Sequence, residues 1–163
     1  MALPNVAGAI IATGFNCQVR VGTNATDAEP VALVASFSAS EDFQAQEAVV
    51  LGNLGPVSID PQGYNCSISV DGYLPAKRVL DGQRQYSGGG TMAIMDYIPS
   101  RLQYMEAGTV PKLRYMDFYN RRDDKILAAF EGVLIASNGV SADGNAYARN
   151  NVEMRALSWN KDQ

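Results

Sequence analysis

Hydrophobic and polar residues alternate with a period of two along several segments of this chain. In the segment GFNCQVRVG one side carries Phe15, Cys17, Val19 and Val21, and the other carries Asn16, Gln18 and Arg20. Because successive side chains of a strand point to opposite faces, this pattern predicts a half-buried β-strand. The more continuously apolar segment PVALVASFS follows after the turn-rich GTNATDAE. The two segments therefore predict a β-hairpin.

The same alternation returns twice more along the chain. In GYNCSISVDGYL one face carries Tyr64, Cys66, Ile68 and Val70, and the pair Asp71-Gly72 predicts a bend at the end of the strand. The last third contains KLRYMDFYN, the long apolar KILAAFEGVLIASNGVSADG and the alternating YARNNVEMRALSW. Within it, Gly132 predicts a bulge, SNGVSADGNA predicts a turn or short excursion, and NRRDDK predicts a solvated turn.

One segment has helical rather than strand periodicity. In TMAIMDYIPSRLQYMEAG, Ile94, Ile98, Leu102 and Met105 are spaced by four, four and three residues, which predicts a helix over about residues 92–107. Six or seven strands with one helix are typical of a mainly β fold. We expect one domain over residues 1–163, with two packed antiparallel sheets that form a small barrel or sandwich, one flanking α-helix and a long loop between strands.

That long loop, at about residues 40–55, combines a polar half with an apolar half. Its second half contains Ala48, Val49, Val50 and Leu51 in a row. A free monomer would leave this patch in water, whereas burial on a partner yields about 25 cal/mol per Å² of apolar area. We therefore expect the segment to be poorly ordered in the monomer and ordered in an assembly.

Composition removes several classes of function. The chain has 163 residues, a formal net charge of −4 and a pI of about 4.7, so it lacks the basic footprint of a nucleic-acid reader. The acidic balance still allows nucleic acid to pass along it without binding, because like charges repel. Histidine is absent, which excludes Ser-His and Cys-His arrangements and the commonest metal ligand.

The sequence offers no motif with catalytic spacing. The acidic pairs Glu41-Asp42 and Asp123-Asp124 have no neighbouring nucleophile, and the three glycines at 88–90 lack the lysine of a phosphate-binding loop. The sequence therefore predicts no catalytic residue, no metal site and no cofactor, and we expect that the protein is not an enzyme. Cys17 and Cys66 favour two reduced core thiols over a disulfide, as in a cytoplasmic protein.

The stretches FSASEDFQAQEAVVLGNLGPVSIDPQGYNCSISVDGYLP and LAAFEGVLIASNGVSADGNAYARNNVEMRALSW together resemble the tail tube proteins of long-tailed bacteriophages, especially those with contractile tails. The resemblance implies a structural protein of the virion tail, assembled in the host cytoplasm. Six copies would form a ring whose inner strands join into one barrel, and rings would stack into the tube through which DNA passes during ejection. The implied partners are sheath, baseplate and tail-terminator proteins, with the tape measure protein and DNA transiently in the lumen.

The resemblance also implies roles for particular residues. The long loop would reach the neighbouring ring, and the expected subunit contacts are Gln44, Gln46, Glu47, Val49, Val50 and Leu51. The channel wall is expected to be rich in carboxylates and neutral polar groups. Its candidate residues lie on the polar faces of the alternating strands: Asn65, Ser67, Ser69, Asp71, Asn151, Glu153 and Arg155. An orientation of these residues toward outer solvent is an equally good interpretation at this point.

Two alternative functions stay open. Inner tubes of headless contractile particles and of secretion systems share the implied architecture. A monomeric β-sandwich that binds carbohydrate is the other alternative, because eight tyrosines and Trp159 supply aromatic surface.

Overall fold

The computed structural model describes residues 17–52, 55–56, 58–74, 92–98 and 112–160. Within these ranges eleven strands are present. They are β1 Cys17–Gly22, β2 Glu29–Ala32, β3 Val34–Asp42, β4 Ala45–Ala48, β5 Ser58–Pro61, β6 Asn65–Tyr73, β7 Met92–Ala93, β8 Lys112–Asn120, β9 Lys125–Ser141, β10 Arg149–Ala156 and β11 Ser158–Asn160.

Nine of the strands form one sheet that curls around a single core. Its order is β3-β6-β10-β9-β8-β1-β2-β7, with β11 paired to β9, and β4 and β5 form a separate pair. The long strand β9 belongs to both halves of the curled sheet. The two halves face each other, since the ring of Phe37 on β3 stacks on Phe118 of β8 with centroids 4.9 Å apart. The predicted mainly β fold with two packed antiparallel layers is confirmed, although the sheet does not close into a complete barrel.

The period-two pattern correctly identifies which faces are buried. Along β10 every second residue is buried, and along β6 the buried residues are Cys66, Ile68, Val70 and Gly72. The apolar side chains among them meet Val19, Met116, Phe130 and Val133 in one hydrophobic core. Removing such a contiguous apolar surface from water is the main favourable contribution to folding.

The predicted first hairpin exists, but it ends earlier than the sequence indicates. β1 pairs with β2 antiparallel through Arg20 and Pro30. At Leu33 the chain then adopts a φ of 60°, and β3 leaves to pair with β6. The apolar segment PVALVASFS is therefore two strands, because a left-handed residue redirects the backbone.

Two predicted turns lie partly or wholly within strands. β6 continues through Asp71 and Gly72 to Tyr73, and β9 continues through SNGVS to Ser141. The bend at Asp71-Gly72 was wrong, and the turn predicted over SNGVSADGNA is present only after Ser141, because backbone pairing outweighs the turn preference of Asp-Gly and Asn-Gly. Instead, the missing side chain of Gly72 allows Ile94 to pack close to the backbone of β6, since a Cβ there would lie 3.2 Å from Cγ2 of Ile94.

The predicted flanking helix is not supported by the described residues. Met92 and Ala93 form β7, and Ile94–Tyr97 form one turn of 3-10 helix, in which Asp96 accepts a hydrogen bond of 2.9 Å from the amide of Ala93. The remainder of the predicted helix, residues 99–107, lies outside the described residues.

Gly132 marks a bend rather than the predicted bulge. Its neighbours on β9 keep register with β8, and its φ is +63°. A Cβ at this position would lie 2.5 Å from Cδ1 of Leu157, the residue between β10 and β11. Because glycine has no side chain, Leu157 can lie over β9 at the point where the sheet passes from one half to the other.

Candidate subunit interfaces

A two-stranded projection stands apart from the main sheet. We call the described residues between 43 and 61 the arm; β4 and β5 pair within it from Ala45 opposite Pro61 to Ala48 opposite Ser58. All four residues of β4 are exposed, including Gln46 and Glu47. An isolated two-stranded ribbon is marginally stable in water, so the arm lacks the support of a core. That the arm becomes ordered only on assembly stays a prediction.

The tip of the arm is apolar and exposed. Val49 and Val50 are 67% and 53% exposed, and Leu51 is fully exposed. Phe43 and Ile59 add further exposed apolar surface along the arm. Contiguous exposed apolar patches of this kind mark interaction sites. The six predicted contact residues thus lie together on one projection, and their role in contacts between subunits stays a prediction.

The base of the arm is held to the main sheet by polar and aromatic contacts. Gln44, with a φ of 46°, donates its backbone N–H to Oδ1 of Asp42 at 2.9 Å, and its carbonyl accepts from Gln62 at 3.1 Å. Tyr64 donates its hydroxyl to Oε1 of Glu41 at 3.0 Å, and its ring contacts that of Phe43. Burial, and then the bond to the Glu41 carboxylate, raises the pKa of Tyr64 to about 12. The arm therefore leaves the sheet in a defined direction.

The arm is also uniformly acidic. Glu41, Asp42, Glu47 and Asp60 lie on it or at its base, and no lysine or arginine occurs between Arg20 and Lys77. An acidic projection with an apolar tip suits a partner surface that offers apolar area and positive charge.

A second surface collects all seven residues predicted for the channel wall. We call the outward side of β3, β6, β10 and the second half of β9 the polar face. Registers place Asp71 opposite Asn151, Ser69 opposite Glu153 and Ser67 opposite Arg155. Arg155 donates to Oδ1 of Asn65 at 3.0 Å. Sequence reasoning placed these residues correctly on one face of the sheet.

Sequence reasoning missed four serines on this polar face. The alternation in VASFSASED places three of them on β3, and the fourth lies on β9 opposite Glu153: Ser36, Ser38, Ser40 and Ser137. The Ser40 and Ser67 hydroxyls are 2.8 Å apart, and Ser137 donates to Oε2 of Glu153 at 3.2 Å. The three serines of β3 occupy every second position of VASFSASED, and this alternation could have identified them from the sequence.

The polar face is close to neutral, and neutral polar side chains outnumber carboxylates on it. It carries the carboxylates of Asp42, Asp71 and Glu153 against the guanidinium groups of Arg149 and Arg155. Arg149 forms a salt bridge of 3.2 Å with Asp71. Short hydroxyl side chains, rather than negative charges, dominate the surface.

Two strand edges lack partners within the described residues. β3 pairs with β6 along one side only, and residues 135–141 of β9 pair only with β10. Unpaired edges of this length are templates for another chain. They bound the polar face on its two sides.

A charged cluster on the other half of the sheet is enclosed. Asp117 is fully buried and accepts two hydrogen bonds from Arg20, at 2.9 and 2.6 Å, and one from the Tyr115 hydroxyl at 3.1 Å. The Arg20 guanidinium also lies 4.0 Å from the centre of the Tyr119 ring. Burial, and then the Asp117 charge, raises the pKa of Tyr115. Arg20 of the neighbouring strand β1 contacts both carboxylate oxygens and Tyr115, on the same strand as Asp117, contacts one, so the cluster is structural.

The described residues add no catalytic arrangement. They contain no group of three or more His, Cys, Asp or Glu side chains that could hold a metal ion. Asp123 accepts from Asn120 at 2.9 Å within the exposed turn between β8 and β9, as the solvated-turn prediction requires. Cys17 and Cys66 do not form a disulfide with each other. No helix in the described part of the chain is long and apolar enough to cross a membrane.

Comparison with known proteins places the fold. No family model and no curated protein matches the sequence. Among solved structures, the tail of an empty gene transfer agent particle, refined with C6 symmetry, matches with a TM-score of 0.60 and 14% identity over 94% of this chain and 100% of that chain.

Two further structures agree with that result. The sheath-tube complex of the PVC extracellular contractile injection system matches with a TM-score of 0.56 and 13% identity over 98% of this chain and 97% of that chain. The SPP1 tail tube matches with a TM-score of 0.55 and 13% identity over 91% of this chain and 77% of that chain. The resemblance inferred from the sequence is thereby confirmed for the fold: this chain has the fold shared by the tube proteins of phage tails and contractile injection systems.

Proposed function

We propose that this protein is the structural subunit of a phage tail tube, in which hexameric rings stack around a channel that DNA crosses during ejection. The observation that carries the proposal is the acidic arm with its exposed apolar tip, which projects from an open sheet of the tail tube fold. An isolated chain leaves these surfaces in water, whereas sister copies would cover them.

Ring closure would use the two unpaired edges. β3 of one copy would pair with residues 135–141 of β9 in the next copy, so that the sheets join side by side. Such a contact joins two different surfaces, and it generates a closed ring when the rotation between copies closes. The C6 symmetry of the matching gene transfer agent tail supports six copies.

The joined sheets would present the polar face to the channel. DNA binds proteins chiefly through basic side chains that neutralise phosphates and release counterions. On this face the two guanidinium groups, of Arg149 and Arg155, stand against three carboxylates, and serine hydroxyls cover most of the rest. Such a wall offers phosphates little net attraction, so DNA would slide along it.

Electron microscopy of the purified chain tests the proposal. We expect rings or tubes from the wild type, and a native mass of six chains for an isolated ring. The double variant Val49→Asp/Leu51→Asp should lose stacking, while Leu157→Asp, which changes another exposed leucine outside the arm, should retain it. Monomers alone from the wild type at high concentration, in every buffer, would contradict the proposal.

A contractile injection system is the second candidate, because the PVC sheath-tube complex matches as well as the phage tube does. Nucleic acid inside the native particle distinguishes the two, since a phage tail joins a DNA-filled head. A monomeric carbohydrate-binding module has less support, because the exposed rings of Tyr64 and Tyr147 lie toward opposite ends of β6 and do not form one platform.

A further inference from the structure

We propose that Asn150 is a positioning residue for ring assembly, because its buried side chain fixes the register of residues 135–141 of β9. This inference rests on the proposed function, which gives that edge to β3 of the next copy. It names the residue that holds the edge in the one alignment that a neighbouring copy can use.

Asn150 is the polar member of an otherwise apolar row on β10. Asn150 is fully buried, and the other buried residues of the strand are apolar: Val152, Met154 and Ala156. It lies on the core-facing side of the sheet, in register with Val140 of β9. A buried amide stabilises a fold less than an apolar side chain of similar shape, unless all of its polar atoms have partners.

The hydrogen bonds of Asn150 go to β9 and leave one of its atoms unsatisfied. Nδ2 of Asn150 donates to Oδ1 of Asn138 and, at 2.9 Å, to the carbonyl oxygen of Gly139. Oδ1 of Asn150 is buried and has no hydrogen-bond partner among the described residues. The side chain therefore contributes less to stability than its burial suggests, but it ties β10 to two consecutive residues of β9. We call the two bonds the asparagine clamp.

The asparagine clamp lies where the register of β9 is least constrained. β8 pairs with β9 only as far as Leu134, so the segment beyond it has β10 as its only partner among the described strands. The register of that pair is interrupted between Glu153 and Met154. The segment ASNGVS at 136–141 is polar and contains glycine, and such strands specify their register weakly.

A slip of one residue would turn every side chain of this edge to the opposite face. In the observed register Val140, which is 59% exposed, shares the core-facing side with Asn150, whereas Ser137 lies on the polar face opposite Glu153. After a slip, Val140 would face the channel and Ser137 would face the core side of the neighbouring copy. Only the observed register places both Asn138 and Gly139 within reach of the Asn150 amide, so the asparagine clamp selects it.

Hydrogen exchange of the unassembled chain and the formation of rings together test the asparagine clamp. Asn150→Leu is close in shape and removes both bonds, while Asn138 and Gly139 are exposed and can bond to water instead. We expect the thermal midpoint to stay level or rise because the unsatisfied buried Oδ1 is removed. Exchange of residues 137–141 should accelerate about tenfold, and rings should need about tenfold more protein, because two hydrogen bonds to the edge are lost.

Asn138→Ala tests the same bonds from their exposed side, where the substitution does not disturb the core. It should also accelerate exchange in residues 137–141. Its effect should not add to that of Asn150→Leu in the double variant, because both remove one interaction. The matched control is Asn145→Ala, in the turn between β9 and β10, which should change neither exchange nor ring formation.

A disulfide tests whether the asparagine clamp acts through the register. Gly139 and Asn151 are partners on the polar face. The double substitution Gly139→Cys/Asn151→Cys, once oxidised, locks the same alignment without Asn150. Added to Asn150→Leu, this disulfide should restore ring formation at the wild-type concentration, and reduction should abolish the rescue.

The outcomes separate this inference from the proposed function. Wild-type exchange and ring formation in Asn150→Leu and Asn138→Ala would overturn the inference, and so would an oxidised disulfide that restores nothing. A lower thermal midpoint with faster exchange throughout β10 in Asn150→Leu, while Asn138→Ala behaves as the wild type, would make Asn150 an ordinary core residue and also overturn it. Absence of rings from the wild type would contradict the proposed function, whereas exchange in the unassembled chain would still show whether Asn150 holds the edge.

Discussion

Asp117 is a buried carboxylate that hydrogen bonds stabilise. Its two oxygens accept two hydrogen bonds from Arg20 and one from Tyr115, and no part of it is exposed. Removing a charged group from water costs several kcal/mol. Hydrogen bonds offset this cost only when their geometry is good and the remaining polar atoms of the group also have partners. The cluster therefore fixes the position of β8 against β1.

We expect Asp117→Ala to lower the free energy of unfolding by about 3–5 kcal/mol, because it leaves the largely buried Arg20 charge without its partner. Denaturant unfolding measures the change. Asp143→Ala, which removes an exposed carboxylate from the β9–β10 turn, is the matched control and should change stability little. Similar losses in the free energy of unfolding for the two variants would show that the Arg20–Asp117 pair stabilises the protein no more than an exposed carboxylate does.

Gly132 carries a conformational requirement that no other residue type meets without strain. Its φ is +63°. We expect Gly132→Ala to cost about 1–2 kcal/mol from the left-handed backbone alone, and more from the contact with Leu157. The double variant Gly132→Ala/Leu157→Ala should recover only the contact part. Gly139→Ala, where a Cβ meets no atom closer than 3.9 Å, is the control; an equal effect there would contradict the explanation.

Tyr64 gives the base of the arm a dependence on alkaline pH. Its folded pKa of about 12 lies above the ordinary value of 10.0, so its contribution to stability is full below about pH 10 and is lost as the pH rises through 12. Phenolate absorbance, compared with Tyr64→Phe, follows this group. Glu41→Gln should lower the pKa of Tyr64 because it removes the nearby negative charge, and an unchanged titration would contradict that cause.

At the scale of elements, the two unpaired edges and the arm differ from the rest of the sheet in how many neighbouring strands they pair with. β6 is paired on both sides, by β3 and β10, whereas β3 and residues 135–141 have a partner on one side only among the described strands. Amides without a partner exchange with solvent readily.

We therefore expect hydrogen exchange at alternate amides of β3 and of residues 135–141 to slow when subunits form a ring. Protection in β4 and β5 should rise when rings stack. β6 is the internal control, and its protection should not change. If β3 exchanges equally in monomers and rings, ring closure through this edge is wrong.

At the scale of the whole molecule, charge is distributed unevenly. The acidic arm contrasts with the nearly neutral polar face, where serines are more frequent than carboxylates. The low pI therefore reflects the arm more than the polar face. Passage of DNA would depend on the near balance of positive and negative charge on the face, rather than on strong repulsion.

Adding positive charge to the polar face tests this idea. We expect Ser69→Arg to make open tubes retain DNA at low salt and release it as salt rises, because every copy in a ring would add a guanidinium group that contacts phosphates. Wild-type tubes should not retain DNA, and Ser58→Arg on the arm should behave as the wild type does. Equal retention by the two variants would show that the polar face does not line the channel.

The sequence by itself determined which faces of the main strands are buried and which are exposed. Alternation in β1, β6 and β10 correctly separated buried from exposed residues, and the run Val49–Leu51 correctly predicted an exposed apolar tip. These features follow from local geometry, since a strand alternates its faces wherever it lies.

Only the tertiary structure decided how the strands are connected and which surfaces face one another. The break at Leu33, the length of β9, the crossing of Leu157 over Gly132 and the gap left by the unclosed sheet all depend on pairings between distant residues. The neutral character of the polar face likewise required the register of four strands. A local pattern sets which side of a strand is apolar, but long-range pairing sets which strand lies beside it.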